Sequence, residues 1–359
     1  MIYRACVASM NFIFFLVLIV AILPEHASAQ AKTPIKVAYL PCGRINDQSW
    51  SQAGYEGVVA AKRELGIEFA YSESVPPVDV EAAARDYASK GYNLVMLHCA
   101  TFTDAGMRAA KDFPNTWFEV NSAQLVPQNV ISFNMQGQEG AFLGGIVAGL
   151  ATRTNKLGAI ASFNTLGFNR QIEGFRLGAR FVNPKSELFV TYLNSAEDAA
   201  KAKEAALAQF DVGADVILAA SDQAATGIFR AGDERGKYVV AEFALQNRLA
   251  PKVILGSVLF GQERVIANII KSVAAGTAKG GLLEPGVKDG VGSFAANTAL
   301  LDSVSEDAGA CLRLIEESFA SNQMRIPSDK IMGRQNGGKD LDTKTVVAGG
   351  AHPCLDKRL

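Results

Sequence analysis

Asn46, Asp47 and Trp50 fall within one short stretch, Lys36 to Gly57. An amide, a carboxylate and an indole so placed suit recognition of a small, flat, polar molecule. Asn and Asp read donor and acceptor patterns, and Trp offers a face for stacking. A second reading stays open beside it: Asn46-Asp47 as a turn and helix cap, with Trp50 packed in a core.

The elements around these residues put them where a ligand could be held and leave both readings open. Val37 to Leu40 is an apolar run ending in Pro-Cys-Gly, as expected of a central parallel strand covered on both faces. The helix that follows points its unpaired N–H groups at the intervening loop. In an open α/β sheet, ligands bind at the carboxyl ends of the strands.

That rule picks out a set of strand-end positions along the chain. Strands are expected at 67–71, 93–97, 116–120 and 130–133, alternating with helices at 80–90, 103–111 and 137–152. The alternation begins again with strands at 157–162, 188–194, 216–220, 238–241 and 253–258. Helices at 168–181, 196–210, 224–235 and 261–275 lie between and after them. Gly286 to Gly292 reads as a hairpin or late strand, and Glu306 to Ser321 as a helix. Two successive βα runs predict two doubly wound α/β lobes. The first lobe is expected to hold residues 30–153 with about 277–359, the second 154–276, with a hinge between them.

The strand ends of the first lobe carry Asn46, Asp47, Trp50, Thr101, Phe102 and Asn121. Those of the second carry Phe163, Asn164, Asp222, Glu242 and Phe243. The set is rich in aromatics and amides and contains no Lys or Arg. It fits a neutral heteroaromatic ligand. Asp222 also reads as a helix cap, a role compatible with ligand contact. Catalytic signatures are missing: no G-x-S-x-G, H-E-x-x-H or G-x-x-x-x-G-K-[ST] occurs. His98 stands at a strand end without a supporting nucleophile and reads as a packed structural residue. The chain is not expected to be an enzyme.

Residues 1–29 read as a secretory leader: Arg4, an apolar run of 12 residues from Phe12 to Leu23, and an Ala-x-Ala site ending at Ala29. No Cys follows that site, so a free exported protein in the periplasm is expected. Removing 29 of 359 residues leaves 330, more than one core usually holds. A net charge of −1 argues against nucleic-acid or membrane-surface binding. Cys42, Cys99, Cys311 and Cys354 remain after cleavage, and an exported chain permits disulfides. Cys42–Cys99 and Cys311–Cys354 are the favoured pairings, with four free thiols as the alternative. With only three His and no C-x-x-C, neither zinc nor another metal is expected.

The order Gly43-x-Ile45-Asn46-Asp47-Gln48-Ser49-Trp50-Ser51-Gln52-x-x-Tyr55-Glu56-Gly57 resembles the opening signature of the basic membrane protein family. These are substrate-binding proteins of ABC importers, similar to the purine nucleoside receptor. Gln138 to Gly145, Leu157 to Ser162, Glu173 to Ala179, Gly213 to Ile217 and Asp289 to Gly292 also resemble it. The resemblance covers roughly Lys36 to Phe294. It implies a type I periplasmic-binding-protein fold, a purine ligand, no cofactor, membrane permease subunits as partners, and a monomer. It implies that Trp50 stacks on the base and that Asn46 and Asp47 belong to the base-binding loop.

The departures point to the ligand. Where nucleoside binders carry two acids and a Lys for the ribose, this chain has Asn121, Phe243 and Phe260. A buried hydroxyl without a partner costs about 1–3 kcal/mol. The Ala161-Ser162-Phe163 and Asp222 regions also resemble a branch of free-adenine binders, which implies that Asp222 reads the base edge. A free base such as adenine, between Trp50 and Phe163, is therefore expected over a nucleoside. A ligand sensor for a membrane receptor and an exported nucleoside-processing enzyme are the alternatives outside that reading.

Overall fold

The computed structural model describes residues 34–305, 308–321, 323, 324 and 326. The opening unit is β1 (Lys36–Pro41), buried from Val37 onward, and α1 (Trp50–Leu65). Gly66 closes α1 at φ 67°, a left-handed turn that side chains resist. β2 (Glu68–Tyr71), α2 (Val80–Ser89), β3 (Leu94–His98), α3 (Thr103–Asp112), β4 (Trp117–Asn121) and β5 (Val130–Phe133) complete the first βα run. After α4 (Gly137–Ala151) come β6 (Lys156–Ala161), α5 (Leu166–Val182), β7 (Glu187–Tyr192), α6 (Ala199–Asp211), β8 (Val216–Ala220) and α7 (Ala225–Arg235). Then follow β9 (Tyr238–Phe243), β10 (Ile254–Leu259), α8 (Gln262–Ala275), β11 (Gly281–Leu283), β12 (Ser293–Ala296), α9 (Thr298–Val304) and α10 (Ala308–Ala320).

Two six-stranded sheets result, ordered β11-β5-β4-β3-β1-β2 and β12-β10-β9-β8-β6-β7. Pairing is parallel throughout except between β10 and β12. This is the doubly wound, two-lobed α/β architecture expected from the alternation. The chain returns to the first sheet at β11 and to the second at β12, so the expected grouping of everything after 277 with the first lobe meets β12 in the second sheet.

The stretch expected as a hairpin or strand at Gly286 to Gly292 is instead one tight turn, Val287–Asp289, with β12 just after it. Gly290 and Gly292 sit at φ 74° and 75°, which extended backbone excludes. β11, three residues long, and the short α9 leave too little periodic pattern to be foreseen.

α4 is buried along its length apart from Glu139 and lies against α5. Its glycines make that contact possible. A Cβ on Gly145 would stand 2.0 Å from the Phe175 carbonyl oxygen, and one on Gly178 of α5 2.0 Å from that of Phe142. One apolar cluster runs from Tyr39 and Met96 of the first sheet through α4 and α5 to Val240 and Val258 of the second. The outer faces carry separate cores, under α2 and α3 in one lobe and α6 and α7 in the other.

The Cys42–Cys99 disulfide is present, joining the carboxyl ends of β1 and β3. Cys311 is buried on α10, whereas Cys354, and with it the second expected pairing, lies outside the described residues. So does the leader, residues 1–29. Among the described residues no helix is long and apolar enough to cross a membrane, and no cluster of His, Cys, Asp or Glu could hold a metal.

Candidate ligand-binding site

Each sheet reverses its winding at one place, and the two places meet. In the first sheet, β1 and β3 are neighbours whose following helices, α1 and α3, cover opposite faces. In the second, β6 and β8 do the same with α5 and α7. Such switch points leave a crevice at the strand ends.

The loop after β1 is built by Asp47. Its carboxylate accepts from the backbone N–H of Ser49 (2.8 Å), Ser51 (3.0 Å) and Gln52 (3.0 Å), holding the first turn of α1. That turn delivers Trp50. The indole lies on His98 (centroids 4.8 Å apart, planes 14° apart), and its Nε1 donates to the His98 carbonyl oxygen at 3.2 Å. Phe133 continues the parallel array at 6.4 Å. His98, Phe133 and Asn121 come from adjacent strands on the face that α1 covers, as the register of β3, β4 and β5 requires.

From the second lobe, Phe243 presents its edge to Trp50 (6.4 Å, 88°). Phe260 stacks on Phe243 at 5.1 Å and Phe168 meets it edge-on at 6.0 Å. Phe243 has φ 73°, a backbone conformation costly for a bulky residue, and such strain concentrates at functional sites.

Among the described residues, three hydrogen bonds reach across the cleft to residues 48–50. Ser49 Oγ donates to Asp222 Oδ1 at 3.2 Å. Gln246 Nε2 donates to the Gln48 carbonyl at 3.2 Å, and Gln262 Nε2 to the Trp50 carbonyl at 2.6 Å. Asp222 also accepts from Ser162 Oγ at 3.3 Å, so both switch points converge on one carboxyl group. Although part of Asp222 keeps access to solvent, burial, then the Asp47 carboxylate, pushes its acid up to about 7; the Ser49 and Ser162 hydroxyls oppose that rise. Glu242 is raised well above the carboxylate range by burial and by Asp222. A depression of about 530 Å³ has Asn46, Asp47, Asp222 and Gln246 in its wall, together with Arg230 and Asp233 of α7, and neither Trp50 nor Phe243 lines it.

The structure thus gathers Asp47, Trp50, Asn121, Asp222 and Phe243, with exposed Asn46 at the rim. Asp47 spends its carboxylate on the helix start, the capping role left open by the sequence. Phe102 is not brought in. The chain turns tightly after β3, and Phe102 packs with Leu40, Leu97 and Val120 in the core on the other face of the sheet. Phe163 is not opposite Trp50 either: it sits in the turn before α5 and is 40% exposed, while Phe243 takes the facing position. Ser49, Ser162, Gln246, Gln262 and Phe168 were missed. A hydroxyl one residue past a strand end was a usable signal for Ser162; the others reach the cleft only through tertiary packing.

Residues 35–327 match the Bmp family, ABC transporter substrate-binding proteins of the PnrA-like type. The chain is 30% identical over 208 residues to the ABC transporter nucleoside-binding protein BmpA of Lactococcus lactis, spanning 56% of this chain and 59% of that one. It is 26% identical over 325 residues to a purine-binding protein of Brucella abortus, spanning 89% and 92%. A solute-binding protein of an ABC transporter system from Aeropyrum pernix has the same fold, with a TM-score of 0.75 at 20% identity over 84% of this chain and 97% of that one. With a family match across most of its length and the two-lobed architecture that goes with it, this chain belongs to the Bmp family of PnrA-like ABC transporter substrate-binding proteins.

Proposed function

We propose that this protein is the periplasmic receptor of an ABC importer and binds a free purine base, adenine in the first instance, in the cleft between its lobes. The base stacks on Trp50 and faces Phe243, with Asp222 at its polar edge and Asn121 on the opposite wall. Release of the leader after Ala29 frees a monomer that docks on membrane permease subunits once closed on its ligand. The carrying observation is the Trp50–Phe243 contact at 6.4 Å between two switch points that supply acids and amides. The Brucella relative, named as purine-binding, supports the ligand class.

Free base is favoured over nucleoside because the family resemblance sets Phe243 and Phe260 at positions where nucleoside binders carry polar ribose partners. Both are buried and stacked on each other. Calorimetric titration of the refolded, ligand-stripped mature chain tests this. Tight adenine and weak adenosine are expected; equal or tighter adenosine would replace the base by a nucleoside, and no purine binding would remove the ligand assignment altogether.

A further inference from the structure

Glu242 is a strand-end acid that nothing above employs. It lies on the last inward pleat of β9, beside Val258 of β10 in register and one residue before Phe243. Ala241 faces the outer core under α6 and α7, and Val240 the inner core shared with α4 and α5. Alternation therefore turns Glu242 inward, one step nearer the cleft than Val240. It is 1% exposed, and among the described residues neither carboxyl oxygen has a hydrogen-bond partner. The charged group acting on it is Asp222, another acid.

A carboxylate so placed would carry a large desolvation cost with no cation to offset it. The neutral acid is the form that survives there. A neutral carboxyl differs from a carboxylate in what it offers: one O–H donor beside one carbonyl acceptor. We propose that Glu242 is a ligand-recognition residue whose neutral carboxyl pairs with a donor–acceptor edge of a flat, uncharged heterocycle. The amidine edge of an aminopurine (ring nitrogen beside N–H) and the lactam edge of an oxopurine both fit. An edge stripped of its donor does not. The pairing rests on the purine-receptor reading and adds to it the residue that selects the ligand's edge.

The proposal fixes how two substitutions must differ. Glu242→Met keeps the volume and removes both polar atoms. Glu242→Gln keeps a donor beside an acceptor and cannot ionise. Calorimetry on the mature chain and both variants would use adenine, hypoxanthine, 6-dimethylaminopurine, cytosine and uracil. Thermal melts establish that each variant folds. The expected result is that E242M weakens the base bound by the wild type by about tenfold or more, that E242Q restores most of that loss, and that 6-dimethylaminopurine binds about tenfold worse than adenine. Undiminished binding by E242M overturns the proposal. E242Q as weak as E242M also overturns it, because a carboxylate would then be required. If no purine binds but cytosine or uracil shows the same variant pattern, the purine reading fails and the role of Glu242 stands. If no compound in the panel binds, both fail.

Discussion

Ser49 and Asp222 lie 173 residues apart in sequence and meet across the cleft, the hydroxyl of one donating to the carboxyl of the other at 3.2 Å. The acid that reaches from the second lobe into the loop after β1 is thus shielded from solvent where it makes that contact, and its proton is tied to the folded arrangement.

A pH dependence follows. Asp222 has its acid at about 7 when folded, against 3.8 for the free side chain, so between those values the folded chain holds a proton that the unfolded chain has released. Stability on this account is fully present below about pH 4 and declines as pH rises toward 7. The ceiling is roughly 4 kcal/mol, reduced by the solvent access that Asp222 retains. Urea midpoints from pH 4 to 8 should fall with rising pH, and Asp222→Asn should flatten the slope. A remnant from Glu242, shifted the same way, should persist. A wild-type midpoint that rises across this window would contradict the assignment.

Removing the Trp50 ring should lower ligand affinity by about two orders of magnitude, since central aromatic anchors dominate such contacts. Trp50→Phe keeps a stacking face but loses the 3.2 Å bond from Nε1 to the His98 carbonyl. It should sit between wild type and Trp50→Ala in the same titration.

The Cys42–Cys99 bond encloses a 57-residue separation, for which chain-entropy reasoning gives about 4 kcal/mol. It ties the strand that starts the Trp50 loop to the strand that ends in His98. Cys42→Ser with Cys99→Ser should lower the urea midpoint accordingly and weaken ligand binding with it. Loss of stability with unchanged affinity would confine the bond to folding.

Gly145→Ala and Gly178→Ala each place a methyl carbon 2.0 Å from a backbone oxygen of the facing helix. Neither backbone can yield without parting α4 from α5, so each variant should lose about 3 kcal/mol or more. Gly66→Ala, at a helix end with open space around it, meets only its own left-handed backbone and should cost about 1 kcal/mol. Urea unfolding of the three variants gives the ranking.

Much of the architecture was legible in the sequence because buried parallel strands write continuous apolar runs. Val130–Phe133 and Val216–Ala220 were bounded to the residue. The candidate site was legible where position follows from chain order: Trp50 opens the helix after a central strand, and Asp222 follows another. It was not legible where a side chain's direction decides. Phe102 and Phe163 have the right type at the right strand end, yet a tight turn sends one into the outer core and the other toward solvent. Phe243 occupies the facing position through a positive φ that no propensity for Phe would suggest.

The protein has two tryptophans. Trp50 stands at the cleft, stacked on an imidazole; Trp117 opens β4 at the amino ends of the strands, away from it. The chain therefore carries its own optical reporter and its own reference. Emission from Trp50 should change when a ligand slides onto its face, while that of Trp117 holds steady. Occupancy could be followed in real time without a dye, and a Trp117→Phe variant would leave a one-colour sensor whose entire signal comes from Trp50.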